Sequence, residues 1–238
     1  RYLSNGLADL FNTLEAGNGE EALEKLKYKV VDVIVTDVMM PVMDGIKLCK
    51  NVKQNIRTCH IPVIILSAKT DIKDQMEGLQ MGADDYIPKP FSLAILTTKI
   101  QNMMRTRRRM LDKYAKSLEV EPEKITFNAM DEALLKRAMA IVEKNMDNIE
   151  FSTDEFAREM NMSRSNLHLK LKAITGESTI DFIRKIRLNE AAKLLKDGRY
   201  TVAEVSTMVG FNTPSYFATS FKKYFGCLPT EYIKKSKG

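Results

Sequence analysis

The chain has 238 residues, of which 44% are apolar and 29% charged, and its three cysteines and two histidines exclude a disulfide framework and a histidine-rich metal site. No apolar run approaches the roughly 20 residues that span a bilayer, so we predict a cytoplasmic protein without membrane contact. The net charge is +6, with −1 in residues 1–101, +3 in residues 102–130 and +4 in residues 131–238. The basic half favours a polyanionic partner, and a merely solvated basic surface stays open as the alternative.

The first 100 residues alternate between strand and helix patterns. Apolar and β-branched runs predict strands at Phe11–Ala16, Val30–Val35, Ile61–Leu66 and Tyr86–Pro88. Helical spacing is found at Leu3–Leu10, Glu20–Lys27, Asp44–Val52, Asp71–Met81 and from Ser92 through Arg109. This alternation predicts βαβ units around a parallel sheet, and therefore an α/β domain.

A charged, aperiodic stretch, Glu119–Lys124, separates this domain from a different kind of sequence. We therefore predict an α/β domain at 1–104, a basic helix and linker at 105–130, and a second domain at 131–238. The chain opens at Arg1 without an initiator Met, so we expect it to be part of a longer protein.

The second domain is helical throughout and repeats itself. Leu171, Ile174 and Gly176 recur 50 residues later as Phe221, Tyr224 and Gly226. Helices are predicted at Thr153–Met160, Arg164–Ile174, Thr179–Leu195, Val202–Val209 and Pro214–Tyr224. Two short helices around a three-residue turn form a helix-turn-helix, so the repeat predicts an all-α domain with two helix-turn-helix units.

Three polar side chains follow the later strands of the α/β domain. Asp37, Ser67 and Lys89 come after the second, third and fourth predicted strands, respectively. The carboxyl ends of parallel strands meet at one edge, where open α/β sheets bind ligands. There a carboxylate could attack phosphorus, while an ammonium and a hydroxyl stabilise the oxyanions. The three residues therefore predict a phosphoryl site.

Residues 1–104 resemble the response-regulator receiver family. The resemblance lies in Val-Thr-Asp-Val-Met-Met-Pro-Val-Met-Asp-Gly at 35–45, Ile-Leu-Ser-Ala at 65–68 and Ala-Asp-Asp-Tyr-Ile-Pro-Lys-Pro-Phe at 83–91. It implies a flavodoxin-like, five-stranded parallel sheet with Asp37 as the phospho-acceptor and Lys89 as its invariant partner. Ser67 and Tyr86 would be the switch residues, and Lys89–Pro90 a cis peptide bond.

The resemblance also implies Mg²⁺, held by Asp37, the backbone carbonyl of Met39 and an acidic pair that follows the first strand. This chain begins inside the first helix, so that strand and the acidic pair are missing from it. We therefore expect weak or absent Mg²⁺ binding, and a receiver part that is unstable alone.

The second helix of each helix-turn-helix carries one polar face. In Arg164–Ile174 the buried face is apolar, which leaves a polar surface suited to the DNA major groove. The predicted DNA-binding residues of this helix are Arg164, Ser165, His168 and Lys172. Those of the second copy are Thr213, Ser215, Thr219, Lys222 and Lys223, the two lysines as phosphate contacts.

Residues 131–238 resemble the AraC-type DNA-binding domain, through motifs such as Val-Ser-Thr-Met-Val-Gly-Phe at 205–211 and Leu-Pro-Thr-Glu-Tyr at 228–232. The combined hypothesis is a phosphorylation-controlled transcription regulator of a two-component system. Its partners would be double-stranded DNA, a histidine kinase domain and, when phosphorylated, a second copy of the chain. A hybrid histidine kinase is the favoured parent, with a stand-alone response regulator or an interaction module without DNA binding as alternatives. No nucleotide loop is visible, so this part is predicted not to be an enzyme.

Overall fold

The computed structural model describes residues 2–68, 82–116, 121–126 and 128–236. They form two compact units, residues 1–110 and residues 111–238. The helices that begin in the first unit are α1 (Tyr2–Leu7), α2 (Gly19–Leu26), α3 (Gly45–Gln54) and α4 (Leu93–Lys116). The strands are β1 (Ile34–Asp37), β2 (Val63–Ala68) and β3 (Asp85–Lys89). The predicted helix Asp71–Met81 lies outside the described residues.

The three strands form a parallel sheet in the order β1-β2-β3. Alternate residues of β2 point to opposite faces, and both faces are covered. Val63 and Ile65 pack against α3, while Ile64 and Leu66 pack against α1 and α4. All four are buried, as expected for the central strand of a parallel sheet.

The prediction of a strand at Phe11–Ala16 is wrong. Residues 12–16 are exposed coil, and residues 11–16 join no ladder of the sheet. A strand needs a neighbour that accepts and donates its backbone hydrogen bonds, and in the described part of the chain β1 pairs with β2 alone. We expected a five-stranded sheet without its first strand, and the described residues form only three strands; the parallel α/β architecture is confirmed.

The predicted strand ends were also displaced. β1 begins at Ile34 rather than Val30, whose side chain is 80% exposed. The ladder with β2 starts at the pair Ile34 and Val63, so residues before Ile34 have no pairing to hold them in a strand. Apolar composition located the strands, and pairing set their limits.

The second unit is helical in all its described elements, as predicted. Its helices, after the end of α4, are α5 (Pro122–Ile125), α6 (Ala129–Lys144), α7 (Thr153–Glu159), α8 (Arg164–Thr175), α9 (Thr179–Asp197), α10 (Val202–Met208), α11 (Pro214–Phe225) and α12 (Pro229–Ser236). The pairs α7–α8 and α10–α11 are the two predicted helix-turn-helix units, with ends within two residues of the prediction. The predicted boundaries 1–104, 105–130 and 131–238 stay a prediction.

The two helix-turn-helix units share their local stop and start signals. Ser152 and Glu155 form a capping box at the start of α7, and Thr201 with Glu204 forms an equivalent one at the start of α10. The second helix of each unit ends at a left-handed glycine, Gly176 at φ 78° or Gly226 at φ 75°. The sequence repeat is therefore a structural repeat.

Candidate functional site

The carboxyl edge of the sheet brings together two of the predicted site residues in direct contact. Asp37 ends β1 and Lys89 ends β3, and the Nζ of Lys89 forms an ion pair with Oδ2 of Asp37. The other carboxylate oxygen, Oδ1, accepts a hydrogen bond of 3.2 Å from the backbone N–H of Met39. Both charged side chains are more than one-third exposed, so the pair is open to a ligand from solvent.

The loop after Asp37 is closely packed on the strand end. A Cβ atom on Gly45 would lie only 2.1 Å from the backbone oxygen of Asp37, so glycine is required at this place. The Oδ1 atom of Asp44 caps α3 by accepting a hydrogen bond of 2.7 Å from the N–H of Lys47. Val42 lies in the loop between Asp37 and Asp44, and its side chain is exposed. Its φ of 65° is a strained conformation for a β-branched residue.

Ser67 lies in the penultimate position of β2, the strand between the two that carry the ion pair. Its residue is only 1% exposed, and its Oγ atom has no hydrogen-bond partner among the described residues. Tyr86 is half-buried in β3, paired in register with Ile65 and packed on the α3 side of the sheet. The cis bond expected at Lys89–Pro90 is present.

In the first helix-turn-helix unit, α8 has the predicted division into two faces. Leu167, Leu171 and Ile174 are buried. The four predicted contact residues form the other face, where Arg164, Ser165 and Lys172 are exposed and His168 is half-buried. Nη1 of Arg164 also lies 3.4 Å from a carboxylate oxygen of Asp154. Both side chains of this ion pair are exposed, so a stronger anion can displace the carboxylate of Asp154.

In the second unit, all five predicted residues of α11 and its N-cap are exposed: Thr213, Ser215, Thr219, Lys222 and Lys223. Two of the hydroxyls are already engaged. Thr213 accepts from the N–H of Tyr216 as the helix cap, and Thr219 donates to the carbonyl oxygen of Ser215. A hydroxyl oxygen has two lone pairs, so Thr219 keeps acceptor capacity for a base edge.

Comparison with known proteins agrees with both halves of this description. Residues 2–101 match the family described as response regulator receiver domain, and residues 156–235 match the family described as helix-turn-helix domain. This chain joins a response-regulator receiver domain to an AraC-type helix-turn-helix domain. The helices of the described residues include none with the length and apolar character needed to cross a membrane.

Relatives of both domains are found among curated and solved proteins. Histidine kinase P4 of Formosa agariphila is 38% identical over 97% of this chain and 17% of its own length. The receiver domain of a signal transduction histidine kinase from Syntrophus aciditrophicus is 34% identical, over 44% of this chain and 80% of that chain, with a TM-score of 0.42. The C-terminal domain of AraT, a response regulator from Geobacillus stearothermophilus, is 30% identical over 43% and 84%, with a TM-score of 0.40. The chain spans only part of the curated relatives that it matches, between 17% and 54% of their length.

Three buried cations of the AraC-type domain were missed by the sequence analysis. Lys170, Lys185 and Arg187 are all less than 10% exposed. Lys170 pairs with Asp131, and Arg187 donates hydrogen bonds to three backbone carbonyls. The available signal was the position of Lys170 three residues after Leu167, inside the apolar stripe of α8.

Lys185 joins the end of α4 to the loop between α8 and α9. Its Nζ donates a hydrogen bond of 2.6 Å to the backbone oxygen of Tyr114 and one of 3.2 Å to a carboxylate oxygen of Glu177. The same atom lies 3.6 Å from the centre of the Tyr114 ring. Burial lowers the pKa of Lys185 and raises the pKa of Glu177. Burial, with the nearby Glu177 carboxylate, also raises the pKa of Tyr114, so its phenol stays neutral.

Proposed function

We propose that the chain is the regulatory and DNA-binding part of a two-component system, in which phosphorylation of Asp37 controls sequence-specific binding to double-stranded DNA. The observation that carries the proposal is the contact of Asp37 with Lys89 at the carboxyl edge of a receiver sheet, in one chain with two exposed recognition helices. The matched families support both halves of the proposal.

The phosphoryl step is a displacement at phosphorus. A carboxylate oxygen of Asp37 attacks the phosphorus of a phosphohistidine on the kinase, so a P–O bond forms while the P–N bond breaks and the histidine leaves. Lys89 offsets the added negative charge. The buried hydroxyl of Ser67 has no hydrogen-bond partner among the described residues, so it can donate a hydrogen bond to a phosphoryl oxygen. Tyr86, on the neighbouring strand β3, would respond to the formation of that bond.

A resident Mg²⁺ fits the described residues only in part. They contain no group of three or more His, Cys, Asp or Glu side chains that could hold a metal ion. The edge of the sheet offers the Asp37 carboxylate and the backbone carbonyl of Met39. Mg²⁺ requires six oxygens in near-ideal octahedral geometry, so we propose weak binding at most and derive no step through the metal.

For DNA, the proposal assigns base reading to the exposed faces of α8 and α11. Arg164, Ser165, His168 and Lys172 would enter one major groove, with Thr213, Ser215 and Thr219 in the next, about 34 Å along the duplex. Lys222 and Lys223 would contact phosphates. Because one rigid helix, α9, separates the two motifs, one protomer would read an asymmetric site.

The parent protein and the assembly are also proposals. The relative from Formosa agariphila, which aligns with 97% of this chain, bears the name of a histidine kinase, and this favours a hybrid parent over a stand-alone regulator. We propose that phosphorylation promotes dimerisation, because a second pair of grooves raises affinity through effective concentration. In this scheme the chain is a phosphoryl acceptor and has no kinase activity of its own.

Three measurements test the proposed function. Treatment with a small-molecule phosphoryl donor, followed by mass spectrometry, should place one phosphoryl group on Asp37 and none on the Asp37→Asn variant. Labelling at another residue would contradict the site, and autophosphorylation with ATP would contradict the absence of kinase activity. Selection from a random duplex pool should enrich an asymmetric sequence, and failure to enrich any duplex would leave the interaction module as the function.

A further inference from the structure

A charged residue lies on the inner face of the first recognition helix. Lys170 stands among the buried Leu167, Leu171 and Ile174 of α8, and only 1% of its side chain is exposed. Moving an ammonium group out of water is costly unless a carboxylate and hydrogen bonds compensate. The cost indicates that the residue at this position does more than fill space.

The partner of Lys170 is held in place from a different helix. Asp131 lies in the first turn of α6 with 3% of its side chain exposed, and its Oδ1 is 2.5 Å from the Nζ of Lys170. The other oxygen, Oδ2, accepts a hydrogen bond of 2.8 Å from the side-chain amide of Asn128. In return, Oδ1 of Asn128 accepts a hydrogen bond of 2.8 Å from the backbone N–H of Asp131. The carboxylate is therefore fixed on α6 independently of α8.

We propose that the buried pair Asp131–Lys170 is a positioning device that sets the rotation of α8, and through it the base preference of the first helix-turn-helix unit. Apolar contacts tolerate small rotations of a helix, whereas a buried, hydrogen-bonded ion pair accepts one geometry. Buried ion pairs typically add little stability over apolar residues of similar volume, but they can fix register.

The geometry of a helix makes such rotations consequential. Side-chain tips lie about 5–6 Å from the helix axis, so a rotation of about 20° moves them by about 2 Å. Hydrogen bonds to base edges form only within roughly 2.7–3.2 Å. A shift of that size would break contacts made by residues such as Ser165 or His168, although neither Asp131 nor Lys170 touches DNA.

The structural repeat supplies an internal comparison. The residue of α11 that corresponds to Lys170 is Ser220, which is also buried but carries no charge. Loss of the ion pair should therefore disturb only the half-site that the first motif reads. This inference rests on the proposed DNA binding and goes beyond it by naming residues that set specificity from inside the domain.

The test uses the full chain with the double substitution Asp131→Leu and Lys170→Met, which removes both charges together. The matched control is Glu132→Leu with Lys136→Met, an exposed pair on the same helix α6 with Nζ and Oε1 2.7 Å apart. Both variants keep the net charge of the wild type. Probes are the duplex selected by the wild-type chain, its single-base variants and a shuffled duplex of equal length.

The double variant should unfold at or near the wild-type temperature and bind the shuffled duplex as the wild type does, with the same salt dependence. Its affinity for the selected duplex should fall about tenfold or more, with base preference lost across one half-site only. The control should retain full specificity.

Three outcomes would overturn the inference. A folded double variant with wild-type specificity would do so, as would a uniform loss across both half-sites. An unfolded double variant would show that the pair serves folding itself. If the wild-type chain selects no duplex, it is the proposed function that fails.

Discussion

Arg187 gives a quantitative test of how the two helix-turn-helix units are joined. Arg187 lies on α9 and is 8% exposed. Its guanidinium donates three hydrogen bonds to backbone carbonyls, of 2.8 Å to Gly210, 2.7 Å to Asn148 and 3.3 Å to Asn145. Gly210 belongs to the turn of the second unit, while Asn145 and Asn148 precede α7 of the first. One side chain therefore connects the turn of the second unit to the segment that leads into the first.

Replacement of Arg187 by Met leaves an unbranched apolar side chain, although a shorter one, and removes all three hydrogen bonds. A hydrogen bond to a charged group contributes about 1.5–3 kcal/mol. Burial lowers the pKa of Arg187, so part of that gain is already offset by the cost of holding the charge there. We expect a net loss of about 3–4 kcal/mol in the free energy of unfolding, from hydrogen bonds lost and carbonyls left unsatisfied.

The loss converts into a shift in melting temperature. An unfolding entropy of about 2.1 cal/mol/K per residue over residues 111–238 gives a fall of about 11–15 °C, measurable by calorimetry or circular dichroism. Arg184→Met is the matched control on the same helix, because Arg184 is more exposed and pairs with Asp181 and Tyr216. It should shift the melting temperature by less than about 4 °C. Equal shifts in the two variants would refute the reasoning.

Three further predictions follow from single positions. Val42→Gly should stabilise the receiver domain by about 1 kcal/mol, because a β-branched residue is held at φ 65°, and the urea midpoint should rise for this variant but not for the exposed control Val30→Gly. Tyr114→Ala should cost about 3–5 kcal/mol, since the ring is 1% exposed and packs against Lys185, whereas Tyr114→Phe should cost less than about 1 kcal/mol; similar losses in chemical denaturation would show that the hydroxyl, not the ring, matters. Burial raises the pKa of Cys49 from 9.0 to about 11, so the unfolded state ionises first and stability should fall as pH rises from 9 to 11. Alkylation at pH 8 should modify Cys49 only after unfolding, and rapid native labelling would contradict its burial.

Local sequence signals were sufficient to predict a structural feature wherever the interaction that forms it is between residues close in the chain. The capping box at Ser152, the glycine stops at Gly176 and Gly226, and the 3.6-residue spacing of α8 all act within one or two helical turns. Asp37, Ser67 and Lys89 could be placed on one edge because each follows an apolar strand, and parallel strands end together.

The sequence by itself determined the helices of both helix-turn-helix units, three of the four predicted strands and the faces that they bury, because hydrophobic periodicity depends on residues close in the chain. Only the tertiary structure decided which partner meets each buried group. Phe11–Ala16 has strand composition but no ladder neighbour, and β1 starts where β2 pairs with it. The cations Lys170 and Lys185 are buried because Asp131 and Tyr114 reach them from distant parts of the chain. A periodic pattern indicates that a position faces inward. Whether a carboxylate or a carbonyl lies there to pair with the side chain depends on how separate elements pack together.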